Sequence, residues 1–133
     1  MANTTYVQVL EDGPRNAIAR VTAILDTSNL AATALITKAL FTNNESRGVL
    51  SGFIIREVEF TVSAGNIAVL EWEATTPQMI GTFHDSNEVD WAPGLVPNPS
   101  APGYTGSILV RSLNWVATVQ SLTLTLKMIK QYS

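Results

Sequence analysis

The sequence predicts an all-β fold: an antiparallel β-sandwich of about eight strands, with the jelly-roll as the expected member of that class. Three observations predict it. Short runs rich in β-branched and aromatic residues alternate between apolar and polar positions. Turn signals built from Gly, Pro, Asn and Asp separate these runs at the spacings of sandwiches and barrels. The 133 residues make one domain, 1–133, long enough to bury a core without disulfide or metal staples.

Thr5 to Glu11 alternates weakly and reads as the first strand. Asp12-Gly13-Pro14-Arg15-Asn16 is a turn, since Pro fixes its own φ while Gly and Asn permit unusual ones. Ala17 to Leu25 is the second strand, with Ala17, Ala19, Val21, Ala23 and Leu25 on one side. A helix competes here because alanine favours it, but the β-branched residues and flanking turns tip the balance. Asp26-Thr27-Ser28-Asn29 breaks the chain. Leu30 to Phe41 reads either as strand or as a short helix, and Thr42 to Gly48 is a polar loop.

Gly52 to Thr75, GFIIREVEFTVSAGNIAVLEWEAT, carries the strongest hairpin signal. With Asn66 in the left-handed conformation, the expected pairs are Val62/Ala68, Phe60/Leu70, Val58/Trp72 and Arg56/Ala74. They give one apolar face and bury Trp72. The opposite face then pairs Glu59 with Glu71 and Glu57 with Glu73, placing four of the seven glutamates together. Opposed carboxylates destabilise a hairpin unless solvent, a divalent cation such as Ca²⁺, or basic residues of another chain neutralise them.

Gln78 to His84 is a further short strand. From Asp85 to Gly106 there are four prolines and three glycines in 22 residues. Such a segment cannot be a central strand or a helix interior. Its Trp91, Leu95, Val96 and Tyr104 argue for order, so 85–106 is expected to be an arm lying on this subunit or a neighbour. The candidate contact residues on it are Trp91, Pro93, Leu95, Val96, Pro97, Pro99, Pro102 and Tyr104. Ser107 to Leu113 resumes as strand. Val119 to Gln131 is the last, with Leu122, Leu124, Leu126 and Met128 inward, and Leu113 to Thr118 as its expected partner.

Composition narrows the function. Only 14% of residues are charged, against roughly 25% in ordinary globular chains, so either part of the surface is buried in an assembly, the reading preferred here, or Thr, Ser and Asn solvate a small free sandwich. The net charge is −3 and the eight Lys and Arg are scattered, which argues against nucleic acid or an anionic membrane as partner. The absence of cysteine removes disulfide and thiolate chemistry. MANTTYVQVLEDG lacks a basic start and an apolar run, so no secretory signal is expected, and no apolar run approaches the roughly 18 residues of a membrane span.

The case for an enzyme is thin, and no cofactor is expected. His84 is the single histidine. A lone histidine in a short strand is more often structural than a general base. His84, Asp85, Glu88 and Asp90 lie close in sequence but match no metal-ligand spacing, so loop solvation explains them better. Paired glutamates serve glycoside hydrolases, yet here they would stand on a convex strand surface. Trp91 and Tyr104, if exposed, would suit stacking on sugar rings in a carbohydrate-binding module. Anchoring the arm is the weightier explanation for both.

Glu11 to Leu30, EDGPRNAIARVTAILDTSNL, resembles the start of small structural proteins of tailed bacteriophages. The shared motifs are Asp12 to Asn16 and Asp26 to Ser28. The Gly/Pro-rich loop ending in Tyr104-Thr105-Gly106 and the closing strand LTLTLKMIKQ are similar in layout. The resemblance implies a non-enzymatic virion protein, a jelly-roll cement or decoration protein on the outside of the head. It implies homotrimers, contact with the major capsid protein, and synthesis in the host cytoplasm. A neck or tail component, or a host-recognition module of the tail, is the alternative.

Overall fold

The computed structural model describes residues 3–26, 28–41, 49–97, 100–115 and 119–132, with the backbone alone at 92 and 93. Within them lie nine strands: β1 (Thr4–Asp12), β2 (Asn16–Leu25), β3 (Thr33–Ile36), β4 (Leu50–Val62), β5 (Ile67–Trp72), β6 (Gln78–Phe83), β7 (Ser86–Leu95), β8 (Ile108–Leu113) and β9 (Gln120–Tyr132). A single 3-10 turn covers Lys38–Leu40. The uncertain Leu30–Phe41 stretch is therefore a short strand followed by that turn.

The strands form two antiparallel sheets, in the orders β1-β2-β9-β4-β7 and β3-β8-β5-β6. From β2 onward the pairing is nested: β2 with β9, β3 with β8, β4 with β7, and β5 with β6. The β4–β9 and β5–β8 ladders complete the sheets. β1 stands outside this nest as a ninth strand on the open side of β2.

Alternation explains why the sheets pack face to face. On β2, Ala17, Ala19, Val21, Ala23 and Leu25 are fully buried, and on β9 so are Leu122, Leu124 and Leu126. Each fully buried leucine contributes about 2 kcal/mol by removal of apolar surface from water. Small alanines on β2 face large leucines on β9, as at Ala19↔Leu126 and Ala23↔Leu122. Phe53, Val58, Leu70, Trp72, Ile108 and Val110 close the same core from the other strands. Lys130 is a charged exception on the inward side of β9. Its ammonium pairs with the Asp12 carboxylate and lies 5.7 Å from the Phe41 ring, so the charge enters the interior already neutralised.

Three sequence expectations are overturned. First, Gly52 to Thr75 is not a hairpin. β4 lies in the five-stranded sheet and β5 in the four-stranded one, so Ser63–Asn66 arches between sheets. The left-handed φ belongs to Gly65 (84°), not to Asn66. The arch is held from outside: Ser63 N–H donates to Ser121 O, and Ser121 N–H donates back to Ser63 Oγ. The Asn66 amide donates to Gln120 Oε1. The apolar residues chosen for the hairpin are indeed buried, Val58, Phe60 and Val62 against Ala68, Leu70 and Trp72. They meet across the sandwich rather than along a ladder. Burial pattern is blind to that difference, and the arch spares the chain two opposed carboxylate pairs.

Second, the start of the Pro/Gly-rich segment is strand β7 on the sheet edge. Its ladder with β4 runs regularly from Ser86 to Asp90, then breaks, so that 91–94 bulge against Arg56 before Leu95 meets Ile55. Pro93, which has no amide hydrogen, falls in that bulge on an edge, where proline is tolerated. Third, β9 pairs with β2 and β4 and is the centre of its sheet. The partner expected for it, Leu113–Thr118, does not pair with it at its described positions; 116–118 lie outside the described residues.

Candidate functional site

The outward face of the five-stranded sheet carries the polar chemistry, and strand register places it. One row across the sheet reads Glu11, Ile18, Lys127, Glu57, Asp90, and the next reads Gln8, Arg20, Thr125, Glu59, Glu88. A hydroxyl row follows, Thr22, Thr123, Thr61 and Ser86, beside Tyr6. A shallow groove of about 540 Å³ runs along the second and third of these rows, with Arg20, Glu59, Glu88, Thr61 and Thr123 in its walls.

Glu57, Glu59 and Glu88 bring carboxylate oxygens within 4.8 Å of one another. Lys127 Nζ sits among them, 3.1 Å from Glu59 and 3.5 Å from Glu57. The hydrogen bond from Lys127, and then its charge, hold the Glu59 carboxyl below the usual carboxylate range. Desolvation lifts Glu57 above it; Lys127 opposes that rise and neighbouring Glu88 adds to it. Lys127 itself is raised, first by its hydrogen bond to Glu59. Three oxygens at this spacing can ligate a hard cation, but the Lys127 ammonium, paired with two of the three glutamates, competes with such an ion for them.

The expected four-glutamate face is thus divided. Glu57 and Glu59 stay together on β4 and gain Glu88 and Asp90 from β7. Glu71 is buried on β5, where Arg111 Nε donates to it at 2.8 Å. Glu73 accepts from the Thr105 hydroxyl at 2.6 Å. Alternation puts Glu88 and Asp90 on one face of a strand, but their place beside Glu59 and Glu57 comes from the β4–β7 ladder and has no local sequence signal.

The segment after β7 folds back on its own sandwich. Thr75 N–H donates to Pro102 O, Thr105 N–H to Glu73 O, and Glu73 N–H to Ser107 O. Tyr104 is half-buried against the core, and burial raises its hydroxyl pKa. Gly52 makes room for it: a Cβ there would stand 2.6 Å from the Tyr104 oxygen. Trp91 packs edge-on to Phe83 at 6.4 Å, Leu95 also packs on the core, and Pro97 is buried. Val96 and Pro102 are exposed, and Pro99 lies outside the described residues. Neither aromatic stands free as a stacking platform. His84 is exposed, with Nδ1 3.2 Å from the Asp85 carboxylate, and the two are not gathered with Glu88 and Asp90.

A second surface feature is apolar. Tyr6, Val9 and Leu10 on β1 and Ile24 on β2 are exposed large hydrophobic residues gathered on one hairpin. β1 is open along most of its length, only Thr5 and Val7 being partly covered. No protein-family model matches the chain, and no curated protein matches it significantly.

Proposed function

We propose that the chain is a non-enzymatic structural protein of a tailed-phage virion, a cement or decoration protein on the outer surface of the head. It associates with copies of itself, as homotrimers, and binds the major capsid protein across subunit boundaries. The observation that carries this is the β1–β2 hairpin: a strand added outside the nested sandwich, exposed along most of its length and bearing Tyr6, Val9 and Leu10. An apolar edge of this kind marks a surface meant to be covered by protein. The nested pairing of β2 to β9 supports placing the sandwich in the jelly-roll class, a rigid frame suited to occupying a lattice position.

Such a protein stabilises a shell by mass action, because it binds the assembled lattice and not its separated subunits. Shells stripped of this protein and then mixed with it are expected to retain it on sedimentation and to resist disassembly at higher temperature. Protein left wholly in the supernatant, with shell stability unchanged, would overturn the proposal.

A further inference from the structure

Among the described residues the sandwich has four edge strands, β1 and β7 in one sheet and β3 and β6 in the other. Natural sheets blunt their edges with charge, proline, bulges or brevity, because unpaired backbone groups template pairing with other chains. β7 is guarded by Glu88 and Asp90, by Glu57 and Glu59 beside them, and by its bulge. β3 has four residues, and β6 has six with a register break against β5. β1 has nine residues and no charged side chain from Thr4 to Leu10. Its only protection is the irregularity at Leu10, with Glu11 and Asp12 beyond it.

We propose that the outer edge of β1 pairs with β1 of a second copy, antiparallel about a two-fold axis, joining two five-stranded sheets into one. Charge selects this occupant and this direction. Thr4 to Val9 is a regular, uncharged stretch that meets its own copy without repulsion. Antiparallel pairing sends the two Glu11–Asp12 ends to opposite ends of the contact. Parallel pairing would set Glu11 on Glu11 and Asp12 on Asp12, and directly opposed like charges are destabilising. The main chain supplies hydrogen bonds, and Tyr6, 58% exposed in the single chain, gains cover from the neighbouring strand. A two-fold contact closes on itself and yields a discrete pair rather than a fibre.

The pairing shares with the proposed function only the premise that β1 is covered by protein. It needs no shell, so the two fail separately. On a shell bearing trimers, it would link neighbouring trimers across local two-fold positions.

The test uses the absence of cysteine in the chain. Single-cysteine variants at each position from Thr4 to Val9 are oxidised alone and mixed in pairs. A disulfide needs Cα atoms roughly 4.4–6.8 Å apart, so it reports facing positions. Antiparallel pairing is expected to cross-link positions whose residue numbers share one constant sum. Light scattering on the unmodified protein is expected to give twice the 14.4 kDa chain mass, or an even multiple. Cross-links with a constant difference in residue number, or none in variants with an intact β circular-dichroism spectrum, would overturn the proposal. So would a monomeric mass at about 100 μM, near the weak end of specific association.

Discussion

Lys127 and the carboxylates around it set a pH response whose sign follows from two opposed residues. Glu59 titrates below its ordinary value because Lys127 hydrogen-bonds its charged form. Its contribution is present above the ordinary glutamate value of 4.5 and is lost as pH falls through the depressed folded value. Glu57 titrates above that value. Folding disfavours its charge, so stability is regained as pH falls from neutral through the raised value toward the ordinary one. The groups facing this pair are Lys127 on β9, Arg20 on β2, and Glu88 and Asp90 on β7. Acidification from pH 7 is therefore expected to raise the thermal midpoint slightly before lowering it, an effect screened by solvent and salt. Glu57→Gln should abolish the initial rise, and Glu59→Gln should lower the midpoint at pH 7 by removing the main partner of Lys127. Thermal unfolding followed by circular dichroism between pH 4 and 8, at low salt, reads both; an unchanged rise in Glu57→Gln would assign it elsewhere.

At the scale of elements, β7 depends on one glycine. Gly94 has φ +140°, and a Cβ there would overlap Ile54 Cγ2 and lie 3.2 Å from Arg56 Cδ. Gly94 thus lets the strand return to β4 after the bulge. Gly94→Ala is expected to cost about 2 kcal/mol from backbone strain and the close contact. Denaturant unfolding checks it; a change below about 0.5 kcal/mol, the scale of a neutral surface substitution, would mean that the bulge relaxes freely. The same strand shows what the sequence made legible. Alternation, a local property of period 2, identified the buried faces of β2, β4 and β9, but not that β5 is buried on both faces, Val69 and Glu71 included. It could not say whether β4 and β5 pair or face each other, because Val58 and Trp72 are equally buried either way. Nor could it place Glu88 beside Glu59, since that neighbour relation is set by β7 joining β4 across an intervening crossover. Prolines and glycines after Asp90 read as an arm, whereas an edge strand with a bulge accommodates them at the same local cost.

Across the whole molecule, nested pairing dictates an order of assembly. The innermost pair, β5 with β6, closes between Trp72 and Gln78. The next, β4 with β7, closes between Thr61 and Ser86. Then β3 meets β8 at Ile36 and Ile108, and last β2 meets β9 at Leu25 and Gln120. Closing the outermost pair first would fix a loop containing nearly the whole sandwich before any contact rewarded it. Each inner pair formed beforehand shortens the loop that remains. Folding is therefore expected to start at β5–β6 and to zip outward, on the millisecond-to-second scale of sandwiches rich in distant pairings. Two core truncations separate the ends of that order. Leu70→Ala on β5 and Val21→Ala on β2 both remove fully buried methyl groups, at a cost of about 1–4 kcal/mol each. Leu70→Ala should act mainly by slowing refolding, and Val21→Ala mainly by speeding unfolding. Stopped-flow chevrons on the two variants decide it. The reverse assignment would mean that the long-range β2–β9 ladder forms first, and that the nest closes inward onto β5 and β6.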